Sequence, residues 1–175
     1  RQGFYYTSKE RQYVESARAH NTVVVGRHGQ IDRTRVPYGS GSPRLVDGES
    51  GIEVSAVATH ALYVHERFLR FLPGRRLVVR DVVSLPEGAV GSIETVTAWL
   101  NVNGSFVLDR QDARSAQFVD EGTRRSVLLE VVCGEGRVAS IVRGQIDPLA
   151  GWRSVVDHEL EAVWNVEIVA PARRR

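Results

Sequence analysis

Histidines are the side chains of this sequence best suited to acid–base chemistry. His20 is the most suggestive of the five, because with Asn21 it leads into three consecutive valines within residues 17–30. A valine triplet favours a buried β-strand, since branched side chains pack well on a pleated surface. Alternation along that strand places His20 on the face opposite Val23 and Val25, so it points out of the core if they point in. From the residues alone, His20 could serve chemistry or could cap and pack.

The other histidines show no helical zinc motif, and the sequence contains no Cys-x-x-Cys pair. A metal site would therefore have to be assembled from separate strands. His65 and Arg67 lie two residues apart in a predicted strand, so their side chains project to the same face. Of the remaining three, His60 is expected to be a packing residue, His28 a solvated turn residue and His158 part of a charged face.

The composition is typical of a globular protein, with 42% hydrophobic and 25% charged residues among 175, a length that favours one domain. No run approaches the roughly 18 apolar residues of a membrane-spanning helix. The single Cys133 excludes an internal disulfide and is expected to pack inertly in a strand. The chain has no methionine, so we expect it to be an excised or processed part of a longer protein.

The basic residues are nearly all arginines, with Lys9 as the only lysine and a formal net charge of +2. The planar guanidinium suits bidentate contacts to carboxylate and sulfate groups. A GC-rich genome that favours arginine codons is an equally good explanation. The arginine content therefore allows an acidic ligand without requiring one.

Short segments of alternating or branched residues, separated by Gly and Pro, predict an all-β antiparallel β-sandwich with little or no helix. We predict strands over residues 3–6, 22–25, 52–58, 63–71, 76–84, 92–102, 126–133, 137–142 and 162–169.

The connections between these strands carry further predictions. Pro73-Gly74 and Gly134-Glu135-Gly136 are expected to close hairpins between the strands that flank them. Residues 7–15 are expected to form a loop or irregular turn, because Tyr13 is their only large apolar anchor. Residues 35–44 are expected to form a long loop. Residues 157–163 are the only candidate for a helix.

Several motifs resemble the C-terminal domain of the heparinase II/III family. The most specific is Ser-Ala-Arg-Ala-His-Asn-Thr-Val-Val-Val at residues 16–25. The supporting matches follow in the same order along nearly the whole chain: Tyr5-Tyr6, Arg11-Gln12-Tyr13, Gln30, Val64-His65-Glu66-Arg67, Leu77-Val78-Val79-Arg80-Asp81, Trp99-Leu100-Asn101-Val102, and Gly151-Trp152-Arg153-Ser154 ahead of Glu161-Ala162.

The resemblance implies that residues 1–175 form one supersandwich-like β-sandwich domain, cut from a longer enzyme that also carries an α/α-toroid domain. Members of the family are polysaccharide lyases that cleave uronate-containing polymers such as heparan sulfate and alginate by β-elimination. The resemblance implies that His20 is catalytic and faces the cleft between the two domains. Asn21 and Arg67 are then expected to bind substrate.

Some family members hold a structural zinc ion in this domain through two histidines and an aspartate. The resemblance therefore implies that His65 could be a zinc ligand. Asp32 and Asp47 are candidates for the aspartate, and neither is a convincing match. Asn101 stands where a histidine is more usual in the family.

The expected partners are an acidic polysaccharide and the toroid domain of the same chain, with no nucleic acid and no membrane span. The resemblance implies location in the periplasm or cell envelope, or secretion. An alternative is a non-catalytic carbohydrate-binding or scaffolding β-sandwich whose arginine-rich surface holds an acidic glycan. A third reading is a metal-dependent sandwich enzyme complete in itself.

Overall fold

The computed structural model describes residues 8–27, 44–48, 51–60, 62–85, 93–132, 134–156 and 159–172. The strand pairs in it are antiparallel and its two helices are short, so the predicted all-β class is confirmed. The elements, in chain order, are helix α1 (Lys9–Glu15), 3-10 helix η1 (Ala17–Ala19), β1 (Val23–Val25), β2 (Arg44–Gly48), β3 (Gly51–Thr59), β4 (Val64–Leu72), β5 (Arg76–Ser84), β6 (Thr95–Val102), β7 (Val107–Gln111), β8 (Ser115–Val119), β9 (Ser126–Glu130), β10 (Arg137–Arg143), β11 (Gln145–Ile146), β12 (Leu149–Ala150), β13 (Trp152–Ser154), β14 (Leu160–Ala162) and β15 (Trp164–Pro171).

The chain divides into two compact units. The first unit contains the described residues up to Gly26 and from Thr95 onward, and the second contains those between Arg27 and Glu94. In the described residues, no helix is long and apolar enough to cross a membrane.

The first unit is a β-sandwich. Its four-stranded sheet has the order β1-β6-β15-β10, and its three-stranded sheet has the order β7-β8-β9. Ala116 and Phe118 from the small sheet and Val166 from the large one are fully buried together. Apolar side chains from β6, β7, β9 and β10 pack around them. Burial of this shared apolar surface is what holds the two sheets face to face.

Strand pairing shows which face of the large sheet each residue occupies. Val23 pairs with Ala98, which pairs with Ile168, and Ile168 packs against the core. Residues that pair directly share a face. Val23 and Val25, which are 1% and 0% exposed, therefore lie on the core side, as the valine pattern predicts.

Helix η1 lies on the opposite face of the large sheet, tied to β6 and β15 by hydrogen bonds, and α1 precedes it and contacts β12. Ser8 begins α1, because its Oγ accepts a hydrogen bond from the backbone N–H of Arg11 at 3.1 Å. Tyr13 and Val14 are buried. The prediction of an irregular segment over residues 7–15 is therefore wrong for Lys9–Glu15. A helix this short is marginal by itself, so the N-cap and the burial of two side chains stabilise it here.

The second unit is a four-stranded antiparallel sheet of order β2-β3-β4-β5. The predicted hairpin at Pro73-Gly74 is confirmed, since β4 and β5 pair from Val64 with Ser84 to Leu72 with Arg76. Gly74 has a φ of +69°, a conformation that glycine adopts without a steric penalty.

Two other predictions about connections are wrong. The segments around Gly134-Glu135-Gly136 do not form a hairpin, because β9 pairs with β8 and β10 pairs with β15. This connection crosses between the two sheets, and the guanidinium of Arg114 donates to the carbonyl of Val131 at 2.6 and 3.0 Å. The candidate helix over residues 157–163 is instead strand β14 at Leu160–Ala162, paired with β13.

Several predictions fall outside the described residues. They concern the strand at residues 3–6, the loop at 35–43, Tyr5, Tyr6, His28, Gln30, Asp32, the side chain of Asp47, Cys133 and His158.

Candidate functional site

His20 lies at the junction between η1 and β1, where its backbone N–H donates to the carbonyl of Ala17. The residue is exposed, and its Nε2 lies 2.9 Å from the carbonyl oxygen of Val14 in α1. A carbonyl oxygen can only accept a hydrogen bond, so Nε2 carries a proton in this contact. The neutral ring then keeps a lone pair at Nδ1, which can accept a proton. His20 is thus held in one tautomer with a basic nitrogen.

Three asparagines anchor the backbone on either side of His20. Asn101 donates from Nδ2 to the carbonyl of Ala19 at 3.2 Å, and its backbone N–H donates to Oδ1 of Asn21 at 2.7 Å. Asn165 donates from Nδ2 to the carbonyl of Arg18 at 3.1 Å and to Oδ1 of Asn101 at 2.8 Å. The segment 18–21 is therefore tied to β6 and β15 by side-chain amides.

Asn165 is fully buried, and its own Oδ1 has no hydrogen-bond partner among the described residues. A buried unsatisfied polar atom costs about 1–3 kcal/mol. The two Nδ2 contacts offset that cost and fix the position of the segment that carries His20. Thr22, the next residue but one after His20, also has a buried Oγ1 without a partner in this part of the chain.

The guanidinium of Arg18 lies over the indole ring of Trp99, with its Cζ 4.8 Å from the ring centroid. Trp99 itself is buried. Within the described residues, no carboxylate forms an ion pair with Arg18. Arg18 is not among the site residues that the sequence predicts. Its position two residues before the candidate histidine could have suggested a role in the site. That it has no acidic partner among the described residues depends on the fold.

Arg67, His65 and Asp81 form a cluster in the second unit, on adjacent strands β4 and β5. Arg67 pairs directly with Asp81, and its Nε and Nη2 donate to Oδ1 and Oδ2 at 2.7 and 3.0 Å. His65 Nε2 lies 2.7 Å from the same Oδ1. The prediction that His65 and Arg67 lie on the same face is confirmed, and both side chains contact the carboxylate of Asp81 there.

The Asp81 carboxyl responds to opposing influences. Burial raises its pKa, but hydrogen bonds from His65 and Arg67, together with their charges, outweigh burial and hold the pKa below its usual value. His65 is 3% exposed, whereas Asp81 and Arg67 are each 20% exposed. The cluster is thus a nearly buried ion pair whose carboxylate stays ionised at neutral pH.

His60 and Tyr63 have a local structural role, as expected for His60. Their rings stack at 4.6 Å, and His60 Nδ1 accepts the backbone N–H of Leu62. Burial raises the pKa of Tyr63 to about 12. A phenol with that pKa does not act as a base at neutral pH.

Comparison with known proteins decides the family. The sequence profile described as heparinase II/III-like, C-terminal, matches residues 3–163 and so spans both compact units. The chain belongs to the heparinase II/III-like C-terminal domain family. No curated protein and no solved structure matches it. Membership of this heparinase II/III-like family links the chain to polysaccharide lyases.

Two motifs that resemble this heparinase II/III-like family contact each other in the structure. The hydroxyl of Tyr13 donates to the carbonyl of Trp152 at 3.0 Å and accepts from its backbone N–H at 3.1 Å. Gly151 has a φ of +72°, and a Cβ there would lie 2.8 Å from the carbonyl oxygen of Val163. The Arg-Gln-Tyr and Gly-Trp motifs therefore fasten α1 to the sandwich, and burial raises the pKa of Tyr13.

The residues expected to hold zinc or substrate have other partners here. In the described residues, no group of three or more His, Cys, Asp and Glu side chains could hold a metal ion. The guanidinium of Arg67 binds both oxygens of Asp81, the aspartate closest to His65 in the strand pairing. A protein-bound zinc ion needs about four converging electron-pair donors, and a guanidinium offers none. The described donor set therefore does not fit a zinc site.

The two predicted substrate-binding residues differ in their surroundings. Asn21 is exposed, and its Oδ1 contacts the backbone of β6. Arg67 is paired with Asp81 in the second unit. Their roles in substrate binding stay predictions, as does the catalytic role of His20.

Proposed function

We propose that this chain is the β-sandwich part of a polysaccharide lyase that cleaves uronate-containing acidic polysaccharides by β-elimination, and that His20 acts in its active site. The observation that supports this most directly is the exposed imidazole of His20, held by the carbonyl of Val14 in a tautomer with a basic Nδ1. An exposed, oriented imidazole is suited to proton transfer.

The reaction requires a base and an acid. A base removes the proton at C5 of the uronate, the C4–C5 double bond forms, the C4–O bond breaks, and the leaving oxygen takes up a proton. A neutral His20 can accept a proton at Nδ1, and its protonated form can return one or donate a hydrogen bond to the sugar carboxylate. Which of these His20 performs depends on the bound geometry of the sugar.

The proposal extends to the whole protein. We propose that the other catalytic groups lie on an α/α-toroid domain of the same chain, and that the enzyme works in the periplasm, at the cell envelope or outside the cell, where polymeric substrates occur. The 175-residue chain alone should then lack lyase activity.

The experiment compares His20→Ala with wild type in the full-length protein, with absorbance of the unsaturated product as the readout. We expect turnover to fall by about 10²–10⁴-fold, the usual contribution of a positioned acid–base group. His60→Ala, a histidine replacement in a structural turn, serves as the matched control and should retain activity. Near-wild-type turnover of His20→Ala would remove His20 from the mechanism.

A second candidate is glycan binding without catalysis, and one surface of the second unit favours it. Phe68 is 43% exposed, and Arg80 lies over its ring at 5.7 Å. Arg70, whose Nε lies 3.4 Å from Glu53, is exposed on the same face two residues away. An aromatic ring flanked by guanidinium groups can contact both the apolar and the anionic parts of an acidic sugar. Binding of such polysaccharides by the full-length protein, with no unsaturated product, would favour this candidate over the lyase.

A further inference from the structure

We propose that Arg18, which lies two residues before His20 on the same anchored segment, binds the uronate carboxylate of the acidic polysaccharide. This inference rests on the proposed lyase function and specifies how the chain recognises the acidic sugar. It also assigns the anion contact to a residue other than Asn21 and Arg67.

The guanidinium of Arg18 has no carboxylate partner in the described chain, although acidic residues lie nearby in sequence and in the sheet. Glu15 pairs with Arg11 at 2.6 Å. Glu167, which pairs with Trp99 in the sheet register, accepts a hydrogen bond from Ser140 at 2.7 Å. The Arg18 cation therefore remains available for an anion.

The position of the guanidinium is set by Trp99. This tryptophan is only 7% exposed, so its indole ring is a fixed surface over which the guanidinium lies. A guanidinium held over an aromatic ring keeps N–H groups that can donate to a further ligand. Two such N–H groups match the two oxygens of a carboxylate in a bidentate contact.

The backbone of Arg18 is held in place by side-chain amides of the large sheet. Its carbonyl accepts a hydrogen bond from the fully buried Asn165, and the carbonyl of Ala19 accepts one from Asn101. The same anchors hold His20. A rigid segment loses less entropy on binding, so a cation placed on it binds more tightly than one on a free loop. Arg18 and His20 are thus positioned together by one set of contacts.

Arg18 also suits the chemistry of β-elimination. Removal of the C5 proton sends negative charge toward the adjacent carboxylate, and a bound guanidinium stabilises that developing charge. The contact would strengthen in the transition state. Arg18 would therefore support both binding of the sugar and cleavage.

The test measures binding by isothermal titration calorimetry of the full-length protein with alginate and heparan sulfate oligosaccharides. We expect Arg18→Gln to weaken binding about tenfold or more, the usual loss for a charge-assisted hydrogen-bonded contact. Arg137→Gln removes the same charge from an exposed position on β10 and should change affinity less than about twofold. Because Asn165 binds the backbone of Arg18, the substitution leaves that anchor in place, and thermal unfolding checks the fold.

A second arm identifies the sugar group that Arg18 binds. Methyl esterification of the uronate carboxylates removes the anion, so wild type and Arg18→Gln should bind the esterified oligosaccharides equally. A persisting difference between them would overturn the assignment to the carboxylate. Equal binding of the unesterified glycans by wild type and Arg18→Gln would overturn the role of Arg18 alone. Failure of wild type to bind or cleave either glycan would overturn the proposed function and the role of Arg18 with it.

Discussion

Replacement of Asn165 tests how the segment that carries His20 is held. Asn165 is fully buried and donates from Nδ2 to the carbonyl of Arg18 and to Oδ1 of Asn101, at 3.1 and 2.8 Å. Substitution by alanine leaves two acceptors without this donor, at about 1–3 kcal/mol each. It also removes the unpartnered Oδ1 of Asn165, which recovers part of that loss. We therefore expect a net destabilisation of about 2 kcal/mol, or roughly 30-fold in the folding equilibrium.

The measurement combines thermal unfolding of the full-length protein with hydrogen exchange of its backbone amides. The N–H groups of His20 and Thr22 should exchange faster in Asn165→Ala, because the segment 18–21 loses its anchor. Asn165→Leu fills the space without a donor, so it should regain stability through packing without restoring protection. Ser140→Ala, which removes a hydrogen bond to Glu167 on the same sheet, is the control. Unchanged exchange over residues 18–22 in Asn165→Ala would refute the anchoring argument.

Two predictions concern the second unit. Asp81 has a pKa below its usual value in the folded chain, so the stability it contributes is present above the unfolded value of about 3.9 and is lost as pH falls through the folded pKa. Asp81→Asn should remove that part of the acid dependence. It should also destabilise the unit by about 2–3 kcal/mol at pH 7, because Arg67 loses its carboxylate partner. Thermal unfolding from pH 7 to 3 measures both effects. An acid dependence identical to that of wild type would contradict the ion-pair assignment. Because Arg67 already supplies the cation at Asp81, exhaustive chelation of metal ions should leave the unfolding temperature of the protein unchanged. If chelation lowers the unfolding temperature and added zinc restores it, a bound metal contributes to stability and this prediction is wrong.

Hydrophobic patterning predicted the strands of seven or more residues, because burial on one face imposes a two-residue alternation that can be read in a single sequence. It missed the shorter strands β2, β7, β8 and β11 to β14, although β8 carries the core residues Ala116 and Phe118. The predicted bounds of β5 match the structure, and Val23 and Val25 lie in the core as expected. Helix α1 was not predicted, because two buried residues and one N-cap give too short an apolar pattern to indicate a helix. The strands around Gly134 pair with different partners, and this choice depends on contacts far apart in sequence.

The sequence by itself determined the all-β class, the family and the position of His20 at the mouth of a buried strand. These follow from local residue types and from motifs in order along the chain. Only the tertiary structure decided the partners of each polar side chain. It placed Asp81 against Arg67 and His65 and joined Tyr13 to Trp152. It also placed Arg18 over Trp99, with no carboxylate partner among the described residues. Hydrogen bonds and ion pairs act over about 3 Å, so they are set by which strands become neighbours, and strand neighbours are chosen by the packing of the whole chain.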